Sequence, residues 1–438
     1  MTRPFGAGAA MAFLALGLSA CSFFEDDETI LPGERIPVRQ TQDDRTLPPG
    51  VAAQLSQVSA PQPLAVWSQV NGSAQHAVGH VAASSDLSVA WRADIGAGGD
   101  GLTATPIVVD GVVYALDAAA QVSALSASGG AVQWRTDLTP EGEESDDGFG
   151  GGLAYDNGRI FVTTGFGQVV ALDASTGEEV WRQRLTAPAR AAPAVASGTV
   201  VAIARDNTAL AYDTSDGAVR WRVAGATSGA GVFGGASPAI SPGGVAILPF
   251  GSGELVAVRA NSGQRLWADV VSGGRRGFAR SAISDISSDP VIQGVAVIAG
   301  NQSGRLVAID GRNGRRGWTR DFGARNPVWP DGETLFLISD DAQLKRLSGR
   351  DGATIWTTAL REYRDEDDRE DAIRYGGPIL AGGRLLLTSS DGDLLSFDPA
   401  TGEETSRLSI SGAAGLGPVA AGGTVYVVTS AGSLVALR

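Results

Sequence analysis

The chain has one cysteine and two histidines in 438 residues, and aromatics make up only 6% of it. A single Cys excludes a disulfide framework and a thiolate metal site. The two histidines, His76 and His80, both precede the repeats described below, so a histidine-based catalytic or metal centre is excluded from those repeats. Basic residues are outnumbered, 34 Lys and Arg against 48 Asp and Glu, for a formal charge of −14. Phosphate binding needs a basic face, so no nucleic-acid partner is expected. The abundant residue is glycine, with 60 copies. Much glycine and few aromatics suit many short strands joined by tight turns.

The stretch from Ala171 to Trp181 reads Ala-Leu-Asp-Ala-Ser-Thr-Gly-Glu-Glu-Val-Trp, and it returns at Ala211–Trp221 and Ala308–Trp318. Trp91, Trp134, Trp181, Trp221, Trp267, Trp318 and Trp356 recur every 38 to 51 residues. Four residues before six of them stands Gly (Gly130, Gly177, Gly217, Gly263, Gly314, Gly352), and ten before five of them stands Ala (Ala124, Ala171, Ala211, Ala257, Ala308). Asp recurs eight before, at Asp173, Asp213 and Asp310. A seventh unit keeps Pro378, Asp398 and Gly402 but has Ser406 in place of Trp, and an eighth begins at Pro418 and stops at Arg438 before its last strand.

Four-stranded units of this length are propeller blades, which must stack in a ring because one blade cannot bury both its faces. The Trp of each outer strand should pack on the next blade, with an acceptor for its indole N–H. The segment Leu87–Ile95 around Trp91 has no blade in front of it, and the eighth unit lacks an outer strand. The expected fold is therefore all-β: an eight-bladed β-propeller of four-stranded antiparallel blades, closed by an N-terminal strand completing the C-terminal blade. Seven blades is the nearest alternative. The periodic Asp residues are expected to form turns, since a ring of identical carboxylates lacks the unlike roles that catalysis needs.

The phrase Ala-x-Asp-x-x-Thr-Gly-x-x-x-Trp resembles the tryptophan-docking motif of the pyrroloquinoline-quinone-type β-propeller family, over residues 90–438. That family contains quinoprotein dehydrogenases and lipoprotein subunits of the machinery that assembles β-barrel proteins in the outer membrane. The resemblance to the dehydrogenases implies a calcium-held quinone, acidic and Asn ligands and often a vicinal Cys pair; this chain has no Cys pair. The resemblance to the lipoproteins implies a scaffold with no cofactor and no catalytic residue. The expected domains are a signal peptide (1–20), a lipidated N-terminus and flexible tether (21–62), a lead-in (63–86) and the propeller (87–438). Leu18-Ser-Ala-Cys21 after the apolar run Ala9–Leu18 resembles a bacterial lipobox, which implies lipidation of Cys21 and a place on the periplasmic face of the outer membrane. Leu31–Val38 within the tether is expected to be linker, with docking on the body or a partner as the alternative. Trp67–Gly72 resembles the family's entry segment, and Trp67, His76 and His80 are expected to pack as a lead-in to the ring.

The resemblance further implies that two neighbouring inter-blade loops bind the POTRA domains of the barrel-forming subunit, with unfolded barrel precursors as possible clients. The first loop matches at Val232, Phe233 and Gly234, where the family has an apolar residue, Arg and Gly. The second matches at Asp285, Ile286 and Ser287, where the family has Asp-Val-Asp. Both loops are expected at the surface. The charged stretch Arg361–Asp371 is expected to be a solvated loop.

Overall fold

The computed structural model describes residues 46–438, apart from 56, 100, 101, 103, 146, 149, 228–234, 272, 274–283, 413 and 414. Eight four-stranded antiparallel sheets form the blades. Blade 1 comprises Ile107–Val109, Val112–Leu116, Gln121–Ser126 and Val132–Asp137; blade 5 runs from Ile286 to Arg320, blade 6 from Trp329 to Ala359 and blade 7 from Tyr375 to Ser409. In blade 8 the strands Val419–Ala421, Thr424–Val428 and Ser433–Leu437 are completed by Val89–Asp94 from the other end of the chain, as the truncated eighth repeat predicts. The first strands of neighbouring blades touch each other, which makes them the inner wall of the ring.

Burial follows position in the blade. The second strand of blade 3, Thr199–Ile203, is buried throughout, because neighbouring blades cover both its faces. Such strands read as unbroken apolar runs. Outer strands such as Val132–Asp137 are mostly exposed, with polar residues between the apolar ones. Where the outer strand holds its Trp, the register shifts by one residue, and the residue paired directly across is the recurrent Ala (Ala124, Ala171, Ala211, Ala257, Ala308). Ala436 fills the same place opposite Trp91.

All seven tryptophans dock forward. Each indole N–H donates to a carbonyl in the next blade's last turn, over 2.7 to 3.2 Å. The glycine of that turn lies under the ring with φ between +68° and +78°. A Cβ there would sit 2.5 to 2.9 Å from the indole or its neighbour. The recurrent Gly thus meets two demands, a left-handed turn and close approach of a flat ring. The seam between blades 7 and 8 has no Trp at Ser406. The turn that a Trp would dock on is absent there, because Leu437 and Val89 reach blade 8 from opposite ends of the chain. The periodic aspartates cap their own turns: Asp173 accepts from the Ser175 and Thr176 amides, and Asp213 from the Ser215 amide and hydroxyl. These hydrogen bonds hold both carboxyls below their ordinary range.

The lead-in closes one mouth of the ring. In chain order it meets seven first strands and the turn after the eighth: Trp67 at Val108, Ser68 at Tyr155, Gln69 at Val195, Ala74 at Ile240, Gln75 at Ile292, Gly79 at Trp329, Val81 at Leu380 and Ser84 at Gly423. Trp67 is buried and stacks on Trp329 with centroids 5.9 Å apart.

The expected tether is shorter than 21–62. Residues 46–55 and 57–59 lie along blade 6, with Leu47 bonded to Thr354, Gln57 to Arg346 and Ser59 to Asp331, and they include a short helix, Pro49–Leu55; Gln62 bonds His80 and Ala82 of the lead-in. The reason is Arg346. It stands where six other blades have Ala, and a buried guanidinium must find acceptors. It finds Thr334 Oγ1, the Pro399 carbonyl and the Gln57 carbonyl, with its plane over Phe336. Burial lowers its pKa to about 10, against the pull of Asp331 and Asp398. The stretch Leu31–Val38 lies outside the described residues.

Candidate docking face

Two kinds of edge leave the ring. The lead-in covers the face that carries the turns within the first and last strand pairs. The opposite face carries the connections between blades and the turns between second and third strands. Both candidate loops, 225–238 and 271–285, connect consecutive blades on either side of blade 4, and their described ends (225–227, 235–238, 271, 273, 284 and 285) lie on this second face.

Their tips and their bases differ. Val232, Phe233 and Gly234, and the arginines Arg275, Arg276 and Arg280, lie outside the described residues, as does Cys21. The base of the second loop is not a surface feature. Asp285 and Ile286 are fully buried and Ser287 is half-buried, its hydroxyl donating to the Ala324 carbonyl at 3.2 Å. The expectation of surface contacts from the Asp285 and Ile286 side chains is corrected accordingly. Asp285 is turned inward because Arg190 waits there: the two side chains form an ion pair with 4% and 0% of their surface exposed. Arg190 comes from the connection between blades 2 and 3, so the pair ties that connection to the one entering blade 5. A Cβ on Gly235 of the first loop, or on Gly251 in the turn between the second and third strands of blade 4, would meet its guanidinium at 2.7 or 2.5 Å, so both segments need glycine to lie over it.

Further buried polar groups fix the same region. Asn207 accepts from the Gly251 amide at 2.8 Å and donates to Ala226 at 2.9 Å. The Asp289 carboxylate accepts from the Ser237 amide at 2.6 Å and from Asn71 of the lead-in at 2.9 Å. Beside it His76 is buried, and its Nδ1 bonds the Pro290 carbonyl at 2.8 Å; a carbonyl only accepts, so Nδ1 carries the proton. The loop bases are therefore held on a rigid polar frame. Sequence reasoning missed Arg190, although it is the lone charge in the apolar stretch Leu185–Val195.

Burial lowers the pKa of His76, more than the charge of Asp289 and the bond to Pro290 raise it. The unfolded chain thus takes up a proton before the folded one does. Stability is expected to be level above about pH 6.5, the ordinary histidine value, and to fall as the pH drops from there towards the depressed folded value. Urea unfolding at a series of pH values, with His76→Gln as control, checks this: the wild-type slope between pH 6.5 and 5 should exceed that of the variant.

The charged stretch near blade 7 is an exposed hairpin, Tyr363–Asp365 with Glu370–Ala372, pinned by Arg364 to Asp391 at 2.6 Å. No group of His, Cys, Asp or Glu that could hold a metal occurs among the described residues.

A family model for outer membrane protein assembly factor BamB matches residues 77–145, 118–358 and 344–438, which is the end of the lead-in and every blade. The chain belongs to the BamB family. Relatives with that name include the Yersinia pestis protein, 24% identical over 329 residues (74% of this chain, 81% of the relative), and the Shewanella oneidensis protein, 25% identical over 356 residues (79% and 87%). Among solved structures, BamB from Moraxella catarrhalis superposes with a TM-score of 0.65 at 18% identity, covering 81% of this chain and 98% of that one. Quinohemoprotein alcohol dehydrogenase from Comamonas testosteroni reaches 0.66 at 15% identity, covering 89% and 84%. At these identities both structures speak for the propeller alone, and the family rests on the sequence match.

Proposed function

We propose that this chain is a non-enzymatic scaffold lipoprotein of the outer-membrane β-barrel assembly machinery. In this reading lipid on Cys21 anchors it to the periplasmic face of the outer membrane. The loops around Phe233 and Ser287 dock the POTRA domains of the barrel-forming subunit and assist insertion of barrel proteins. The observation that carries the reading is the BamB family match through the whole ring. The braced frame beneath the two loops supports it, since a docking loop on a rigid base loses little entropy on binding.

The burial of Asp285 moves the proposed contact outward. Asp285 and Arg190 position the loops, while Val232, Phe233 and Gly234 with Ser287 are the surface offered to the partner. Aromatic side chains in such loops are frequent anchors of protein interfaces. The test is affinity purification of the full chain from detergent-solubilised envelope. Phe233→Asp is expected to lose the barrel-forming subunit while keeping the wild-type unfolding midpoint. Undiminished recovery of that subunit with the variant would place the docking surface elsewhere on the ring.

A further inference from the structure

Seven of the eight seams carry the tryptophan dock, and the seam between blades 7 and 8 does not. Apolar side chains of both blades pack across it, and the lead-in is concentrated there. Val81 pairs with blade 7 on both sides, donating to the Leu380 carbonyl and accepting from the Gly382 amide, each at 2.9 Å. The Gly383 amide donates to His80 Nε2 at 2.9 Å, so the proton of His80 is on Nδ1 and bonds the Ser59 carbonyl. Arg384 of blade 7 donates through both terminal nitrogens to the carbonyls of Ser84 and Ser85. On the blade 8 side, Ser84 donates to Gly423 and Gly422 donates to Leu64, at 3.4 and 2.8 Å. The segment therefore bonds both flanks of the seam that has no Trp. Its upstream end is secured at blade 6, by Arg346 at Gln57 and by Asp331 at Ser59.

We propose that residues 57–85 are the fastener of the ring, and that releasing their C-terminal end at Arg384 opens the seam between blades 7 and 8 before any other. The seven remaining seams each keep a docked indole with a satisfied N–H, buried at Trp181, Trp221, Trp267 and Trp318 and partly buried at the other three. Among the described residues the unfastened seam keeps the apolar packing of blade 7 on blade 8 and, on its other face, polar links such as Arg92 to the Ile410 carbonyl at 3.0 Å and Ser430, through its amide and hydroxyl, to the Gly412 carbonyl. A ring with one weak seam opens locally and reversibly, because subglobal opening follows the least stable contact. The opened strands would be those lining the seam, Tyr375–Ala381 and Val419–Ala421, with Val89–Asp94 losing its hold at the outer edge.

Amide hydrogen exchange on the full chain tests this. In Arg384→Ala, exchange at Ile379–Ala381, Val419–Ala421 and Val89–Asp94 is expected to accelerate roughly ten- to a hundredfold, matching the loss of charge-assisted hydrogen bonds. Thr199–Ile203 and Val245–Pro249, in blades 3 and 4, should exchange as before. Arg220→Ala serves as control: its side chain bonds Thr199 and Asp213 within blade 3, so it should leave blades 7 and 8 unchanged. Should Arg384→Ala not fold, Arg384→Lys, which retains an ammonium donor, should give the same pattern at smaller amplitude. Acceleration spread evenly over all eight blades, or none at the seam, would overturn the proposal.

Discussion

Trp221→Ala is expected to lower the unfolding free energy by about 3–5 kcal/mol, the range for emptying a buried aromatic site. Three effects combine at that position. The indole is 93% buried, being 7% exposed, so its loss removes a large apolar surface. Its N–H gives up the 2.7 Å bond to Ala260, leaving that carbonyl without the donor. The glycine beneath it, Gly263, keeps its left-handed turn with nothing packed on it. The site cannot collapse to fill the void, because its walls belong to two separate blades. Urea unfolding gives the number, and Gly263→Ala provides an independent approach to the same contact. Its added Cβ would stand 2.8 Å from the indole at a φ of +69°, so it too should destabilise. Ser406→Trp, by contrast, should bring no gain, since the turn a Trp docks on does not exist in blade 8. A wild-type midpoint for Trp221→Ala would mean that the recurrent Trp is not what joins the blades.

Asp285→Asn is expected to cost about 3–5 kcal/mol as well, for a different reason. The substitution keeps shape and removes charge, which leaves the Arg190 guanidinium buried beside a neutral amide. Breaking one half of a buried pair costs far more than replacing both halves by apolar groups. The double variant Arg190→Met with Asp285→Leu should therefore recover most of the loss. Measuring Arg190→Met, Asp285→Leu and the double by urea unfolding isolates the coupling. A double variant no better than Asp285→Asn would show that the pair is needed for the loop bases to pack at all. Because Asp285 has no exposed surface, the single variant tests positioning of the loops and not direct contact with a partner.

Most of the ring was legible in the sequence, because a repeat writes the same physical demand several times over. Gly four residues before Trp records the turn under the indole. Ala ten residues before records the small residue across the strand pair. Even the closure of the ring was legible, from a Trp strand without a blade and a blade without a last strand. The features that escaped are those that break the period. Arg346 interrupts the Ala series, and only the structure shows that the interruption captures Gln57 and brings residues 46–55 and 57–59 onto blade 6. The lead-in has no periodicity of its own, since each of its residues answers to a different blade. Asp285 was read as a surface acid because its partner, Arg190, lies 95 positions away in sequence; no local pattern can announce such a contact.

The dehydrogenases that share this propeller show how little the fold alone decides. The repeated carboxylates are the nearest thing in the chain to a catalytic set, and their acceptor atoms are occupied by the amides and hydroxyls of their own turns. Function is argued instead from the parts that differ between blades.

Titration of the purified full-length chain with the isolated periplasmic domains of the barrel-forming subunit tests the proposed docking. Saturable one-to-one binding is expected, which Phe233→Asp abolishes and Arg384→Ala, on the opposite face, leaves intact. No binding by the wild-type chain, together with stoichiometric uptake of pyrroloquinoline quinone and calcium and dye-linked oxidation of an alcohol, would contradict it.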